Sequence, residues 1–387
     1  MPIVNRISAY HDDMRGWRQD IHEHPELAYK EHRTAGKVAA LLASFGVDEI
    51  VEGIGGTGLV GIIRTGEGPS IGLRADMDAL PITEETGVAY ASTNVGVMHA
   101  CGHDGHTTML LGAARYLAET RNFSGTVVLV FQPAEEGYAG AKAMMKDGLF
   151  DRFPVDAIYG VHNMPGVPAG EITVSPGPVM AAADQFSVTV KGRGGHGAMP
   201  HLAVDPVVAA AAMINGLQSL VSRAANPHET LVVSVTKIHG GDAFNVIPDS
   251  VTFGGTVRYF DLDLGQKNME RMTKMVEGIA EGHGVGVEVT YDHGYPPTTN
   301  HEQQAKFARD IAVEVTGVEA RKQPQVMGSE DFSFYLEDKP GAYAWIGNGS
   351  ESESAQLHNP HYNFNDEILP AGASFFVRLV ETALEKN

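Results

Sequence analysis

The sequence predicts an α/β protein in which an α/β/α domain with a mostly parallel sheet contains an inserted, ferredoxin-like domain. Three observations support this fold class. Short apolar strands alternate with helices in the first half, the element order becomes β-α-β-β-α-β after residue 182, and helical and strand segments resume after residue 295. We therefore expect a discontinuous larger domain, residues 1–182 and 295–387, and a smaller domain, residues 183–294.

The first half of the chain supplies most elements of the larger domain. Residues 34–46 have helical spacing and end at Gly46, and residues 104–119 form a second predicted helix with Asp104 as its N-cap. Short and partly β-branched apolar runs predict buried strands at 58–63, 70–75, 125–131 and 157–161. Strands that alternate with helices in this way are typical of a largely parallel sheet.

The smaller domain follows from the order of the elements after residue 182. The predicted elements are strand 184–191, helix 204–223, strands 230–239 and 249–260, helix 263–282 and strand 285–291. The Pro-Pro-Thr-Thr stretch at 296–299 is interpreted as a linker back to the larger domain. There a helical segment at 304–315 and a strand at 342–346 follow.

Composition and charge argue against several classes of protein. The 387 residues include 28 Lys and Arg against 48 Asp and Glu, and the net charge of −20 argues against a nucleic-acid-binding surface. The single cysteine, Cys101, excludes an intrachain disulfide framework and fits a reducing compartment. Neither a secretory signal nor a run of 18 apolar residues is visible. We expect a cytoplasmic protein whose partners include neither nucleic acid nor a membrane.

Side chains that bind metals gather where the predicted strands end. Three of the strands are followed by the pairs Asp76 and Asp78, Glu135 and Glu136, and His162 and Asn163. Two more clusters occur, Met98–His106 and Leu357–His361. Open α/β sheets bind ligands beyond the carboxyl ends of their strands, and Cys, His and Glu suit first-row transition metals. The pattern indicates a metal site in which one of two adjacent carboxylates binds metal while the other acts as general base.

Each of these features has a simpler explanation when it is taken alone. A single His at a strand end is more often a hydrogen-bonded structural residue, and adjacent acids such as Glu135 and Glu136 are usually a solvated turn. Cys101 by itself is most often a small buried hydrophobe. Recurrence of such residues at several strand ends favours a shared site.

Eight motifs, in their order along the chain, resemble those of a metallopeptidase superfamily. They are RADMDALP, MHACGHDGHT, FQPAEEG, GVHNMPGVPAGEI, KGRGGHGAMPH, NVIPDS, GSEDFSFY and LHNPHYNFND. The superfamily contains aminoacylases, glutamate carboxypeptidases and succinyl-diaminopimelate desuccinylase. The sequence most resembles its amidohydrolase branch of hippurate hydrolases, N-acyl-amino-acid amidohydrolases and auxin-conjugate hydrolases, over residues 15 to 375.

The resemblance implies the metal ligands and the general base. The implied ligands are Cys101, His103, Glu136, His162 and His358, and Glu135 corresponds to the general base of the family. Five ligands favour a site for two divalent metal ions with Cys101 as a possible bridge. Zinc, manganese, cobalt and nickel all remain open as the bound metals.

Other polar residues of the motifs do not match the ligand positions of the family. His99, His106 and His361 are therefore interpreted as supporting or structural residues. Many relatives have His-x-Asp where this chain has Asp76-Met77-Asp78. This difference makes Asp76 doubtful as a ligand and favours Asp78 as a residue that orients a ligand.

The smaller domain resembles the lid and dimerisation domain of the family. This implies a homodimer or a dimer-based tetramer in which His196 reaches the active site of the partner subunit and stabilises the oxyanion. Asn245 and Arg258 lie on lid positions that could meet the substrate, and an Arg is a natural bidentate partner for a carboxylate. Alternatively, His196 is a loop residue that bonds local backbone and Arg258 is a surface strand residue.

The function that the resemblance implies is metal-dependent hydrolysis of the amide bond of N-acyl amino acids, with Glu135 as general base. Hippurate-like, N-acetyl and other acyl conjugates are all compatible small-molecule substrates. Activity on small dipeptides, or carboxypeptidase activity, is an alternative at the same site. A hydrolase with Cys101 as nucleophile and His103 or His106 as base is a second alternative, and a non-catalytic binding protein is a third.

Overall fold

The structure is a computed structural model that describes residues 5–350 and 355–386. The chain forms two compact units. The larger unit contains the residues up to Gly177, Thr299–Pro324 and the residues from Asp331 onward, and the smaller unit contains Pro178–Thr298 and Gln325–Glu330. The sequence prediction assigned residues 325–330 to the larger domain. They lie in the smaller unit because the Ala181 amide donates to the carbonyl oxygens of Val326 and Gly328.

Helices and strands alternate along most of the chain. Up to the first crossing between the units they are α1 (Asn5–Ser8), α2 (His11–Glu23), α3 (His32–Phe45), β1 (Glu49–Ile54), β2 (Gly58–Thr65), β3 (Ser70–Asp76), α4 (His103–Thr120), β4 (Gly125–Gln132), α5 (Glu135–Tyr138), α6 (Gly140–Lys146), α7 (Leu149–Arg152), β5 (Ala157–Pro165), β6 (Ile172–Thr173) and β7 (Gly177–Met180). The smaller unit then contributes β8 (Ala183–Lys191), β9 (Gly195–His196), α8 (Pro206–Ser219), β10 (Leu231–His239), β11 (Val246–Ile247), β12 (Ser250–Tyr259), α9 (Leu262–His283) and β13 (Gly286–Tyr295). After it come β14 (Thr298–Asn300), α10 (Glu302–Thr316), α11 (Ser333–Asp338), β15 (Gly341–Gly349) and α12 (Leu369–Ala383).

The larger unit is built on a seven-stranded sheet of order β1-β2-β4-β3-β5-β15-β6. The four central strands β4, β3, β5 and β15 are parallel, whereas β1, β2 and β6 pair antiparallel at the edges. Every residue of β15 is buried, and since successive residues point to opposite faces, both faces of the sheet are covered there. One group of helices contains α2, α3, α4, α10 and α12, and a second contains α6, α7 and α11. The predicted α/β/α fold class is confirmed.

The smaller unit contains a four-stranded antiparallel sheet of order β10-β12-β8-β13 with α8 and α9 packed on it. Its elements follow the predicted β-α-β-β-α-β order. The Asp205 side chain caps α8 by accepting from the Val207 amide, and Asp261 caps α9 by accepting from the Leu264 amide. The short strands β9 and β11 pair with each other beside this sheet.

Two local predictions about the chain near the polar clusters are wrong. Helix α4 follows Gly102, whose φ of 89° is left-handed, and the buried Asp104 carboxylate does not cap the helix but accepts from His22 and Arg18. Strand β5 continues to Pro165, so His162 and Asn163 lie within the strand and not beyond its end. The reason in both cases is that tertiary contacts, made by residues distant in sequence, determine the local backbone conformation.

One helical stretch, Pro206–Ala224, is long and apolar enough to cross a membrane by length and composition. It combines α8 with a π-helical turn at Leu220–Ala224 and contains Asn215, Gln218 and Arg223, so it is not a run of 18 consecutive apolar residues. Its Ala209, Met213 and Leu217 side chains are buried in the hydrophobic core of the smaller unit. A core helix of a domain passes the same test of length and composition.

Candidate metal centre

The loop that precedes α4 brings Cys101 and His103 to the edge of the sheet. Gly102 between them is left-handed, and a Cβ atom there would lie 2.2 Å from the Asn163 amide nitrogen. Only glycine fits such a contact at a positive φ. The Asn163 side chain donates to the carbonyl oxygen of Cys101 at 2.6 Å and accepts from the Tyr362 hydroxyl. The loop is therefore fixed against β5.

His162 on β5 presents one ring nitrogen to the Cys101 thiol. Its Nδ1 atom donates to the backbone oxygen of Asn163 at 2.6 Å, which leaves Nε2 without a proton. The Nε2 atom lies 3.4 Å from the Sγ atom of Cys101. The thiol donates to the unprotonated nitrogen in this contact, and both atoms are of types that bind transition metals.

Glu135 and Glu136 follow β4 in a tight turn. Ala134 and Ala139, on either side of the turn, both have left-handed φ angles, 54° and 55°. The Glu136 amide donates to Asp78 Oδ2 at 3.0 Å, and the Glu136 Oε1 atom lies 3.1 Å from His358 Nε2 and 3.9 Å from His103 Nε2. The Glu135 side chain is buried, and the ligand atoms of His103, Glu135 and Glu136 lie within 4.8 Å of one another.

His358 reaches the same place from the C-terminal part of the chain. Its φ of 60° is unusual for a residue with a side chain and marks a constrained position. The His358 amide donates to the carbonyl oxygen of Ala100 at 2.8 Å, which ties this loop to the Cys101 loop. The side chain is about half exposed, so His358 lies at the open side of the centre.

The two aspartates of the Asp-Met-Asp motif have different roles. Asp78 Oδ1 lies 3.2 Å from His103 Nδ1, so Asp78 orients the imidazole whose Nε2 atom points into the centre. Both oxygens of Asp76 are occupied, one by His106 Nδ1 at 2.6 Å and the other by Arg74 at 2.6 Å. Asp76 is therefore a hydrogen-bond acceptor for neighbouring side chains.

The three remaining histidines of the motifs lie around the centre. His106 has partners at both ring nitrogens, Asp76 and the Asn163 amide, and so has none left for a metal. His361 is exposed and donates from Nδ1 to the backbone oxygen of Glu85. His99 is buried, and within the described residues neither of its ring nitrogens has a hydrogen-bond partner. Burial lowers the pKa of His99 to about 4, which keeps the ring neutral.

Negatively charged carboxylates dominate the electrostatics of the centre. Burial and the carboxylates of Glu136, Glu135 and Asp76 hold the pKa of the Cys101 thiol well above its usual value. For His103, burial lowers the pKa, but Asp76, Asp78 and Glu136 outweigh it and raise the pKa to about 10. Burial and the neighbouring His106 hold the pKa of His162 well below its usual value, which keeps this ring neutral.

The donor set fits divalent transition metal ions. The set combines a soft thiol, three borderline imidazoles and a hard carboxylate, a mixture that first-row transition metals accept. The Nε2 atom of His103 is buried with no hydrogen-bond partner in the described part of the chain. Among the groups of ligand atoms that lie within 4.8 Å of one another in the described residues, two contain the thiol: Cys101 with His103 and His162, and Cys101 with Glu136 and His358. A cation would lower the pKa values of Cys101 and His103 and so displace their protons.

The remaining predicted site residues lie in the smaller unit. His196 on β9 faces Val246 on β11, and the Gly197 amide donates to the carbonyl oxygen of Asn245 at 2.8 Å. His196 Nδ1 accepts from the Ala198 amide at 3.1 Å, so the proton of the neutral ring is on the Nε2 atom of this exposed side chain. Arg258 on β12 is half-buried and donates to the Ser329 hydroxyl at 3.2 Å.

A set of buried polar residues that the sequence did not reveal supports the centre. Arg74 and Asp331 pair at 3.0 Å, and the Asp331 amide donates to Glu135 at 3.4 Å. His22 donates to Asp104, the residue after His103, at 2.8 Å. The GSEDFSFY motif contains Asp331 and is the one signal that pointed to it, but no spacing in the sequence connects it to Arg74 or Glu135.

Comparison with known proteins agrees with this geometry. The model of peptidase family M20/M25/M40 matches residues 72–382. The chain is 43% identical to a hippurate hydrolase of Campylobacter jejuni, over 98% of each chain. It is 42% identical to IAA-amino acid hydrolase ILR1-like 2 of Arabidopsis thaliana, over 96% of this chain and 85% of the plant protein.

A solved structure from Bacillus subtilis, described as a dinuclear metal binding peptidase from the M20 family, matches with a TM-score of 0.87. It is 36% identical, and the match covers 98% of this chain and 100% of that one. These relatives are similar over nearly their whole lengths, and the ligand groups of the larger unit fit divalent metals. The chain therefore belongs to peptidase family M20/M25/M40 and is a metal-dependent amidohydrolase.

Proposed function

We propose that this protein hydrolyses the amide bond of N-acyl amino acids, with two divalent cations and Glu135 as general base. The observation that carries the proposal is that Cys101 belongs to two groups of candidate ligands that otherwise share no residue. Cys101, His103 and His162 would hold one cation, and Cys101, Glu136 and His358 would hold the other. Zinc suits the thiolate, and manganese, cobalt and nickel suit the histidines and the carboxylate.

The residues of this chain divide the chemistry between them. When bound, the cations polarise the amide carbonyl and lower the pKa of water toward neutrality. Glu135 takes a proton from the attacking water and then delivers it to the leaving amine. Its buried carboxylate accepts from the Asp331 amide, which holds one oxygen and so orients the other.

Residues of the smaller unit complete the site in this proposal. The Nε2–H group of His196 is an exposed donor, as required of a group that stabilises the developing negative charge on the carbonyl oxygen. Asn245, next to it on the ribbon, contacts the substrate, and Arg258 binds the carboxylate of the amino-acid part. Together with the cations, Arg258 gives an anionic substrate a positive environment within a chain of net charge −20.

The substrate class follows from the relatives. Hippurate is an acyl group joined to glycine, and the substrates named for the plant relative are IAA–amino acid conjugates. Both are amides between an acyl group and an amino acid with a free carboxylate. Small dipeptides and carboxypeptidase substrates share the carboxylate but carry a free or extended amino end, and they are the alternative class.

We propose further that the protein is a cytoplasmic homodimer formed through the smaller unit. Strand β10 lies at an edge of its sheet and exposes Ile238, and α8 exposes Val207 and Val208. An unpaired strand edge beside an exposed apolar helix face is a surface suited to pairing with a second copy. A single free thiol, Cys101, fits the reducing conditions of a cytoplasm.

A panel of substrates tests the function. The protein is stripped of metal with a chelator, reloaded separately with zinc, manganese, cobalt or nickel, and assayed on benzoylglycine, N-acetyl amino acids, IAA conjugates and dipeptides. We expect no hydrolysis without metal and a preference for N-acyl amino acids with it. Full activity in chelator would instead support a Cys101 nucleophile, and activity confined to dipeptides would support the alternative substrate class.

A further inference from the structure

Arg74 on β3 is a fully buried cation with several polar partners. Its guanidinium donates to Gln132 Oε1 at 2.8 Å, to Asp76 Oδ2 at 2.6 Å and to Asp331 Oδ1 at 3.0 Å. It therefore joins two carboxylates that lie on different segments of the chain. A buried cation with two carboxylates has a large desolvation cost and gives little net stability compared with an apolar core, so its value must lie elsewhere.

One side of this arrangement leads to Glu135. The Asp331 carboxylate accepts from the Gln132 side chain at 2.8 and 2.9 Å and from the Ala141 amide at 2.9 Å, so it is held from both ends of the turn that contains Glu135. The Asp331 amide in turn donates to Glu135 Oε1 at 3.4 Å. Asp331 thus fixes both the turn and one oxygen of the carboxylate.

The other side leads to Cys101 and His162. Asp76 Oδ1 accepts from His106 Nδ1 at 2.6 Å, and His106 Nε2 accepts from the Asn163 amide at 2.9 Å. The Asn163 side chain donates to the carbonyl oxygen of Cys101 at 2.6 Å. The backbone oxygen of Asn163 accepts from His162 Nδ1. A single residue, Asn163, thereby positions both ends of the contact between Cys101 and His162.

We propose that the buried chain Asp331–Arg74–Asp76–His106–Asn163 positions the two functional parts of the centre relative to each other. Its Asp331 arm sets the position of Glu135, and its His106 arm sets the positions of Cys101 and His162. The five residues are positioning residues that act through the base and the ligands. The inference about the Asp331 arm rests on the proposed function of Glu135, whereas that about the His106 arm rests on the ligand set alone.

The His106 arm is tested with two variants that separate the bonds of His106. The amide nitrogen of Asn in His106→Asn can replace Nδ1 as donor to Asp76 but leaves the Asn163 amide without an acceptor. The oxygen of Gln in His106→Gln can replace Nε2 as acceptor for the Asn163 amide. The affinity of the metal-free protein for zinc is measured by competition with a chromophoric chelator, without any substrate.

Each variant breaks one link of the chain, His106→Asn the bond to Asn163 and His106→Gln the bond to Asp76. We therefore expect both to weaken zinc binding, by about 10- to 100-fold, the usual effect of losing a residue that orients a ligand. Circular dichroism and thermal unfolding of the metal-free variants verify that both fold. An affinity equal to that of the parent protein in either variant would overturn the His106 arm, because the bond to Asn163 or the bond to Asp76 would then have no effect on the ligands.

The Asp331 arm is tested with Asp331→Asn. This variant keeps the size of the side chain, but it replaces one acceptor oxygen by an NH2 group that cannot accept from Arg74, Gln132 or the Ala141 amide. We expect kcat to fall by about 10- to 100-fold, with KM and zinc affinity close to those of the parent protein. A crystal structure of the zinc-loaded variant should show a displaced Glu135 carboxylate. Asp338→Asn, at the end of α11 and outside the chain of contacts, is the matched control.

The readouts separate failure of this inference from failure of the proposed function. If Asp331→Asn leaves Glu135 in place, the Asp331 arm is wrong whatever the protein hydrolyses. If the parent protein cleaves no N-acyl amino acid, the proposed function is wrong, and zinc affinity and the Glu135 position still decide both arms. If Asp331→Asn weakened the affinity for zinc as much as His106→Asn does, the division into two arms would be contradicted.

Discussion

The Nε2 atom of His162 lies 3.4 Å from the Sγ atom of Cys101, although the two residues are 61 positions apart in the chain. The contact exists because Asn163 holds the Cys101 loop against β5 while its backbone oxygen fixes the tautomer of His162. Two candidate ligands of different chemistry are thereby held together by the fold of the chain. Such preorganisation reduces the conformational cost of binding a metal.

Removal of the thiol should remove metal. In Cys101→Ala the two groups of candidate ligands that contain the thiol each lose a member, so we expect the metal content, measured by elemental analysis after dialysis, to fall well below that of the parent protein. Cys101→Asp should recover much of it, because a carboxylate can also bridge two cations. His361→Ala, which changes an exposed ring outside the ligand groups, is the control. Unchanged metal content in Cys101→Ala would refute the assignment of Cys101 as a ligand.

Replacement of the general base should separate metal binding from turnover. Glu135→Gln keeps the shape of the side chain but has no carboxylate to accept a proton, so we expect kcat to fall by about 10²- to 10⁴-fold with metal content retained. Glu136→Gln, its neighbour, should instead lose metal. Both quantities are measured on the same preparations, by steady-state assay and by elemental analysis. A Glu135→Gln variant with full activity would show that another residue takes the proton.

Stability should depend on pH through His22. Burial lowers the pKa of this ring, but its hydrogen bonds to Asp104 and Glu84 outweigh burial and raise the pKa to about 9. Because this folded-state pKa is above the unfolded value of about 6.5, the stabilisation is complete below pH 6.5 and is lost as pH rises through about 9. The loss is on the order of 3 kcal/mol in the free energy of unfolding.

Denaturant unfolding of the metal-free protein measures this dependence. The difference in stability between the parent protein and His22→Gln should be large at pH 6 and should shrink by pH 9.5, which isolates His22 from other groups that titrate. His361→Gln, a replacement of an exposed histidine, should give a small and constant difference. A His22→Gln difference that does not change with pH would contradict the charged state of His22.

The contribution of His196 from the partner subunit can be tested by mixing inactive variants. His196→Ala should lower kcat by about 10²- to 10³-fold without loss of metal, because it removes a donor to the oxyanion. If the residue acts across a dimer, His196→Ala mixed and reassembled with Glu135→Gln should recover about one quarter of the parent activity, since half of the dimers then contain one intact site. Each variant alone, taken through the same procedure, is the control.

Light scattering accompanies this experiment, and a dimer is the expected state. No recovery in a mixture that demonstrably exchanges subunits would mean that His196 acts within its own chain. A fully active monomer would remove the proposed dimer altogether. Ile238→Glu, which puts a charge on the exposed edge of β10, should shift the protein toward the monomer and lower its activity together with the dimer fraction.

The fold class, the element order and the residues that could bind metal were all predictable from the order of the amino acids. Alternating strands and helices predict the larger unit because hydrophobic periodicity is local. The clusters of Cys, His and Glu indicate a metal site because ligand chemistry depends on residue type, and the resemblance to the family names Cys101, His103 and Glu136 as ligands. Asp78 was also predicted as an orienting residue, and the structure has Asp78 3.2 Å from His103.

The role of each buried polar group depends instead on the three-dimensional arrangement of the chain. Asp104 looks like a helix cap in the sequence, yet it is the buried partner of His22 and Arg18, which come from a different helix. Arg74 and Asp331 are 257 positions apart, so no local pattern connects them, and residues 325–330 join the smaller unit through backbone bonds to Ala181. The physical reason is that hydrogen bonds of buried side chains are satisfied by whatever the fold brings near, which the local sequence does not encode.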